Sequence, residues 1–129
     1  GDDSGTLKAE RRHWKSAQVD PRKYSGKWYL ETGAGMGATL NVAAAKSGYA
    51  LCDRATWLAF GNRADLAIMV EGDPSLRNPY GVIMVNPTRH SHVKRSFTMT
   101  FIDWLTSTAG KAAIASFRLE GKQVYFPAP

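Results

Sequence analysis

The sequence contains a single cysteine, Cys52, so an internal disulfide is excluded. Long apolar runs are also missing, since the run at residues 66–70 is far shorter than the roughly 18 residues that a membrane-spanning helix needs. Repeats are absent, and a hydrophobic content of 43% over 129 residues is typical of a globular protein. The sequence therefore predicts one domain over residues 1–129. Because the first residue is Gly1 and not methionine, we expect a start at a processing site or at a cut.

The composition is basic, with 17 Lys and Arg residues against 11 Asp and Glu residues and a net charge of +6. A solvated basic surface explains this balance as well as an anionic partner does, whether nucleic acid, an acidic membrane surface or a small oxyanion. In residues 1–27 acidic side chains are interleaved with the basic ones, and a nucleic-acid footprint is more concentrated than this. We therefore expect no nucleic-acid partner.

Helical and extended patterns alternate along the chain. Apolar spacing and capping residues predict helices at 4–18, from about 38 to 47, and at 55–60, 93–108 and 111–117. Apolar runs bounded by turn residues predict extended segments at 24–31, 49–54, 66–71, 80–85 and 124–126. Such alternation favours an α/β fold with a mixed, mostly parallel sheet flanked by helices.

Signals for catalysis or for a metal are weak. The alternate glycines of residues 33–37 do not have the spacing of a dinucleotide fingerprint, and no serine lies in a nucleophile elbow. His90 and His92 are flanked by basic side chains that repel a cation, and no further ligands complete a metal set. Cys52 stands in no recognisable motif and is interpreted as a strand cysteine. We therefore predict no enzymatic activity, no metal and no cofactor.

Two helix starts have the chemistry of an oxyanion site. The first-turn N–H groups of a helix have no intrahelical acceptor, and the helix dipole adds roughly half a positive charge there. Small or hydroxyl-bearing residues let an anion approach those groups. The two segments with this composition are Ser4-Gly5-Thr6 and Gly35-Met36-Gly37. Ordinary capping explains each segment alone, whereas two converging starts favour a tetrahedral anion.

A series of motifs gives the chain a family resemblance. In order these are the segments at 1–6, 28–31 (Trp-Tyr-Leu-Glu), 35–40 (Gly-Met-Gly-Ala-Thr-Leu), 49–56, 71–73, 78–87 and 101–107. Each is weak by itself, but the ordered series is similar to the second half of the tungstate-binding proteins that serve ABC importers. The resemblance covers nearly the whole chain.

The resemblance implies a three-layer α/β lobe of the type II solute-binding class. It implies a non-enzymatic, periplasmic or lipid-anchored receptor that holds tungstate or molybdate between two lobes and delivers it to an ABC permease. The residues that it implies as ligands are Asp2, Ser4, Gly5, Thr6, Gly35, Met36, Gly37, Arg54 and Tyr80. Asp53 is implied as a residue that lines the cleft. If Asp2 faces the anion, its carboxylate favours a protonated phosphate, whereas an Asp2 that braces the loop leaves tungstate preferred.

The sequence departs from the family at its start. A Ser-Arg pair precedes the Gly-Asp motif in the family, and neither that pair nor the first lobe is part of these 129 residues. We therefore expect this chain alone to bind tungstate weakly or not detectably. The alternative is an interaction or regulatory module without a ligand, for which an exposed apolar patch and dimers of the isolated lobe are expected.

Overall fold

The computed structural model describes residues 4–128, in which short helices dominate. In chain order the helices are α1 (Gly5–Ser16), α2 (Met36–Lys46), α3 (Arg54–Ala59), α4 (Arg95–Thr106) and α5 (Thr108–Ser116). Two 3-10 helices lie at Pro21–Tyr24 and Pro74–Leu76, and the strands are β1 (Arg118–Leu119) and β2 (Lys122–Gln123). The helices predicted around α1, α2, α3 and α4 are confirmed within a few residues at their ends.

Side-chain caps fix where most of these helices begin. Ser4 Oγ accepts from the N–H of Leu7 at the start of α1, and an Asp53 carboxylate oxygen accepts from the N–H of Thr56 in α3. Asp20 and Asp73 cap the two 3-10 helices in the same way. Each cap satisfies a first-turn N–H that has no acceptor within its own helix.

The end of α2 differs by one residue from the prediction. The predicted helix ends just before Gly48, and the structure places Ser47, not this glycine, in the left-handed conformation with φ 50°. The N–H of Gly48 donates to the carbonyl of Ala43 at 2.9 Å and thereby satisfies one of the last carbonyls of the helix.

The helical region after residue 93 is divided at Ser107. We predicted a break near residue 110, but α5 begins already at Thr108. Ser107 has an extended backbone, so it ends α4, and its Oγ accepts from the N–H of Gly110 at 3.2 Å. The same residue therefore terminates one helix and caps the next, and Gly110 lies within α5.

The predicted mostly parallel sheet is not formed within residues 4–128. The sheet described there is an antiparallel pair in which Arg118 lies opposite Gln123 and Leu119 opposite Lys122. The segments at 49–53, 66–73 and 80–86 contain no assigned strand. A strand requires a neighbour to complete its ladder of hydrogen bonds, and none of these segments has one in the described chain.

The segment predicted to be extended from residue 24 to residue 31 is also different. Tyr24 is the last residue of a 3-10 helix, and its carbonyl accepts from the N–H groups of Lys27 and Tyr29. Gly26 has a φ of 75°, which a residue without a side chain adopts at little cost. The chain therefore turns here, and an isolated bridge pairs Ser25 with Tyr29.

The chain divides into two compact units, one ending at Asn78 and the other beginning at Pro79. Leu40, Ala43 and Leu58 are the buried hydrophobic residues described in the first unit. In the second unit the described hydrophobic core consists of Val124. Each core is small, and none of the helices described in residues 4–128 is both long and apolar enough to cross a membrane.

Gly110 is a point of close backbone approach in the second unit. It is buried, and a Cβ atom added to it would overlap the carbonyl oxygen of Trp104 and lie 2.9 Å from Leu105 Cα. Backbone atoms cannot rotate away as the end of a side chain can. The contact therefore requires glycine at this position if α4 and α5 are to keep their packing.

We predict that Gly110→Ala lowers the free energy of unfolding by about 1–3 kcal/mol, because the new methyl group overpacks this contact. Urea denaturation followed by far-UV circular dichroism measures the change. Gly37→Ala in α2 is the matched control, since nothing lies within 4 Å of its added methyl and alanine favours a helix. A Gly110→Ala protein as stable as the original would contradict the close packing.

Candidate anion-binding site

The start of α1 is capped but still presents donors. Ser4 is held with φ −70° and ψ 158°, and its Oγ accepts from the N–H of Leu7 at 3.2 Å. Its carbonyl accepts from the N–H of Lys8 at 3.1 Å. The N–H groups of Gly5 and Thr6 have no acceptor in residues 4–128. These two amides, with the Thr6 hydroxyl, are the donors that α1 offers to an anion.

Within the described residues, no side chain caps the start of α2 with a hydrogen bond. Its N-cap residue is Gly35, which has no side chain, and the first backbone bond of the helix runs from the N–H of Thr39 to the carbonyl of Gly35 at 3.0 Å. Within the described residues the N–H groups of Met36, Gly37 and Ala38 therefore lack an acceptor. Cβ atoms added at residues 35 and 37 would meet nothing within 4 Å, so no neighbouring side chain or backbone crowds either glycine.

A side-chain bond holds the loop that leads into α2. The hydroxyl oxygens of Thr32 and Thr39 lie 2.8 Å apart, and Thr32 Oγ1 also accepts from the N–H of Ala34 at 3.4 Å. Gly33 turns the chain between them with φ 61°. The loop conformation that exposes the first-turn amides of α2 is thus fixed by two threonines and one glycine.

Both helix starts belong to the first unit, but the structure does not pack α1 and α2 over an extended face. Extensive packing between elements in the described chain is that of α4 with α5 and of β1 with β2. The convergence of the two starts on one anion consequently stays a prediction.

Asp53 and Arg54 already have partners. The Asp53 carboxylate accepts from both the N–H and the hydroxyl of Thr56, at 2.9 and 2.6 Å, and so caps α3. One guanidinium nitrogen of Arg54 lies 3.2 Å from a carboxylate oxygen of Glu71, and both side chains are exposed. If Arg54 contacts an anion, the same guanidinium group therefore also bonds to Glu71.

The two remaining predicted ligands are placed differently. Asp2 lies outside the described residues. Tyr80 is in the second unit, where its exposed ring meets the edge of the Tyr125 ring at a centroid distance of 6.1 Å. The structure therefore gives Tyr80 an aromatic neighbour within its own unit, and its role toward an anion stays a prediction.

An aromatic cluster beside α1 was not predicted from the sequence. Trp14 lies 5.7 Å from Trp28 and 6.4 Å from Tyr29 between ring centroids, and its Nε1 donates to Glu10 at 2.9 Å. Burial, with Glu10 next in importance, raises the pKa of the Tyr29 hydroxyl. In the sequence, this cluster is indicated by the several aromatic residues between positions 14 and 29. The helix and strand periodicities used for prediction do not show that these residues contact each other.

This cluster forms one side of a cavity of about 440 Å³ in the first unit. Within it, Asp20 accepts from the Nε of Arg22 at 3.1 Å, and this bond holds the pKa of the Asp20 carboxyl below its usual value. The lining residues are Arg11, Trp14, Lys15, Val19, Asp20, Pro21, Arg22, Tyr29 and Glu31. Cations and carboxylates are mixed here, so the cavity lacks the single-sign lining of an anion site.

Cys52 is a half-buried thiol that donates to the carbonyl of Asp53 at 3.2 Å. Burial, with the Asp53 carboxylate beside it, raises the pKa of the Cys52 thiol to about 11. A thiol that holds its proton at neutral pH is a poor nucleophile and a poor metal ligand. The His90 and His92 rings lie 6.0 Å apart, and across residues 4–128 no three His, Cys, Asp or Glu side chains group as a metal site.

Comparison with known proteins identifies the class of protein to which these features belong. Residues 1–109 match the family model described as the PBP superfamily domain. The chain therefore belongs to the PBP superfamily. The predicted solute-binding-protein fold class is thereby confirmed, although the predicted sheet is not present in the described residues.

Individual relatives show which proteins of the PBP superfamily this chain resembles. The chain is 45% identical to a provisionally named ABC transporter anion-binding protein of Haloferax volcanii and 37% identical to the tungstate-binding protein TupA of Campylobacter jejuni. These matches cover 98% and 97% of this chain. Among solved structures, the tungstate-binding protein TupA of Desulfovibrio alaskensis G20 is 41% identical, covers 98% of this chain and superposes with a TM-score of 0.79. The resemblance to tungstate-binding proteins is therefore confirmed.

The relatives are much longer than these 129 residues. The matches cover 38% of the Haloferax protein, 47% of the Campylobacter protein and 52% of the Desulfovibrio chain. The chain thus spans about half the length, or less, of the proteins that it resembles.

We predict that Cys52 reacts with a disulfide reagent about tenfold more slowly at pH 8 than an ordinary thiol, because raising its pKa from 9.0 to about 11 lowers the thiolate fraction more than it raises the nucleophilicity of the thiolate. The rate is expected to rise with pH until about pH 11. Stopped-flow measurement between pH 7 and pH 11 tests this, with the urea-unfolded chain as the control. A reaction that levels off near pH 9 in the folded chain would be incompatible with the burial described.

Proposed function

We propose that this chain is part of a non-enzymatic, oxyanion-binding receptor that holds tungstate or molybdate. The observation that carries the proposal is the uncapped first turn of α2, whose amides at Met36, Gly37 and Ala38 have no acceptor among the described residues. An anion completes the hydrogen bonding of such a turn and interacts favourably with the helix dipole. The relatives named for tungstate support this anion class.

Each helix start contributes in a different way. The α2 start supplies backbone donors only, and the glycines at 35 and 37 let an oxygen atom come close to them. The α1 start adds the amides of Gly5 and Thr6 together with the Thr6 hydroxyl, while Ser4 holds the turn in place as its cap. Neutral donors of this kind suit a fully deprotonated dianion, because none of them must lose or gain a proton.

Affinity of this chain alone is expected to be low. Gly35 and Ala38 at the start of α2 are exposed, so water competes for this turn and weakens charge-assisted hydrogen bonds there. Arg54 uses one guanidinium nitrogen toward Glu71, so its other N–H groups stay available to an anion, and an exposed ion pair of this kind also exchanges at little cost. Arg54, Asp2 and Tyr80 are retained as proposed ligands.

The proposed biological setting is transport, which the name of the Haloferax relative as an ABC transporter anion-binding protein supports. The protein of which this chain is part collects the oxyanion outside the cytoplasm, in the periplasm or at an extracytoplasmic surface, and delivers it to an ABC permease. Binding and release of an intact anion need no catalytic group, no metal and no cofactor. The high pKa of the Cys52 thiol agrees with this assignment, since it leaves no activated nucleophile at that position.

Titration followed by NMR tests the site directly. We predict that millimolar tungstate, and molybdate with it, shifts the backbone amide signals of Gly5, Thr6, Met36 and Gly37 more than sulfate or phosphate does at equal concentration. Thr6→Val is expected to weaken the binding about tenfold, because it removes one hydrogen bond to a charged group while keeping the side-chain shape.

Thr100→Val in α4 is the matched control, since that hydroxyl donates to the carbonyl of Ser96 on an exposed helix face far along the sequence. It is expected to leave the tungstate titration unchanged. No shifts at either helix start up to millimolar tungstate, or equal shifts with sulfate, would contradict the proposed function. Amide signals that move only around residues 11–22 would place the anion in the mixed-charge cavity instead.

Exposed apolar side chains favour the second candidate, an interaction module without a ligand. Phe97 of α4 is 73% exposed, and the stacked rings of Phe101 and Trp104 are also exposed. An apolar helix face of this kind is typical of an interface. If no anion shifts any amide signal and sedimentation shows dimers, the interaction module would be favoured over the receptor.

A further inference from the structure

The cavity beside α1 has the size of a small-molecule site, and the proposed function does not use it. Its volume of about 440 Å³ lies within the range of roughly 300–1,000 Å³ that is typical of such sites. Its lining residues all lie between positions 11 and 31, so the cavity is built within the first unit alone. None of them belongs to either helix start at which the anion is proposed to bind.

One wall of the cavity is aromatic. Trp14 and Tyr29 line it, and their rings lie 6.4 Å apart between centroids at an interplanar angle of 88°. Trp14 Nε1 donates to Glu10 at 2.9 Å, and Glu10 also contacts Tyr29. Because Glu10 engages the polar groups of both side chains, the wall offers a ligand mainly aromatic surface. Such a surface binds another ring in edge-to-face or offset-stacked contact.

Two of the cations that line the cavity are unpaired. Arg11 and Lys15 are four residues apart in α1, so they lie on the same face of this helix. Neither makes an ion pair or a side-chain hydrogen bond with another residue of the described chain. The third cation, Arg22, is held by Asp20 at 3.1 Å. Arg11 and Lys15 are therefore the positive groups that remain available to a carboxylate.

One carboxylate on the cavity keeps an available oxygen. Asp20 is occupied, because its oxygens accept from the backbone N–H and from two guanidinium nitrogens of Arg22. Glu31 accepts from the Ser25 hydroxyl through Oε2 at 2.9 Å, and its Oε1 has no partner among residues 4–128. A carboxylate accepts several hydrogen bonds, so Glu31 remains available to an ammonium group.

These three features match the three parts of one class of molecule. An aromatic amino acid carries a ring for the aromatic wall, a carboxylate for Arg11 and Lys15, and an ammonium group for Glu31. The mixed charge that disfavours an inorganic oxyanion in this cavity suits a zwitterion. We propose that the cavity is a second ligand site, which binds free amino acids with an aromatic side chain. Because this ligand is not an oxyanion, the proposal goes beyond the function proposed above.

Fragments of one amino acid test the three contacts separately. L-Phenylalanine is titrated into the 129-residue chain, and the indole N–H signal of Trp14 in the NMR spectrum reports occupancy of the cavity. 3-Phenylpropanoate lacks the ammonium group, phenethylamine lacks the carboxylate, and L-alanine lacks the ring. Relative to L-phenylalanine, we expect binding to weaken about tenfold for each lost charge-assisted hydrogen bond and at least about tenfold for the lost ring.

Substitutions in the chain are matched to these fragments. Arg11→Gln is expected to weaken L-phenylalanine and 3-phenylpropanoate about tenfold without weakening phenethylamine. Glu31→Gln is expected to weaken L-phenylalanine and phenethylamine without weakening 3-phenylpropanoate, and its amide oxygen can still accept from Ser25. Arg12→Gln is the matched control, since Arg12 is exposed on the same helix but does not line the cavity. Glutamine and arginine have similar helix propensities, so both α1 variants are expected to keep the circular dichroism of the original.

Three results would overturn the proposal. The first is a Trp14 indole signal that does not move up to the solubility limit of L-phenylalanine. The second is equal affinity for L-phenylalanine and its fragments, which would show nonspecific contact. The third is equal weakening by Arg11→Gln and Arg12→Gln, which would show general charge attraction without a site in the cavity. Tungstate binding is measured without any amino acid, through the amides of Gly5 and Gly37, so failure of one proposal leaves the other intact.

Discussion

Backbone N–H and C=O groups need hydrogen-bond partners, and the described structure is organised around where those partners are found. The short helices begin where a Ser or Asp side chain replaces the missing acceptor, as at Ser4, Asp53 and Ser107. The starts of α2 and α4 lack such a replacement. The satisfied groups define the helices, whereas the unsatisfied groups of α2, which follow a glycine and not a lysine, mark where an anion is proposed to bind.

The same constraint explains which features were predictable from the sequence. Helical hydrogen bonds join residues four apart, so periodicity and capping residues near each end were enough to predict α1, α2 and α3. Ser107 was missed because one serine serves two helices, a role that composition does not show. The parallel sheet was predicted from apolar runs, but a strand ladder depends on residues distant in the chain, and local sequence does not show which of them pair.

Prediction of the candidate site was limited in a comparable way. The glycine and hydroxyl residues at the two helix starts were visible because their chemistry depends on local sequence. The ion pair of Arg54 with Glu71 joins residues 17 positions apart and was not visible. The contact of Glu10 with Tyr29 likewise depends on the path of the loop after α1. Caps can be predicted from the spacing of residues because they are local. Contacts between residues that the fold brings together cannot be predicted in this way.

The packing of α4 against α5 has a consequence for how force passes through the second unit. Ser107 is the only residue between these helices, and Gly110 packs directly against the backbone of Trp104. The two helices therefore form a rigid pair. A displacement of α4 therefore moves α5 with it. Length changes in related proteins are accordingly expected in the loops on either side of this pair of helices, because one residue added between them would shift Gly110 from its contact with Trp104.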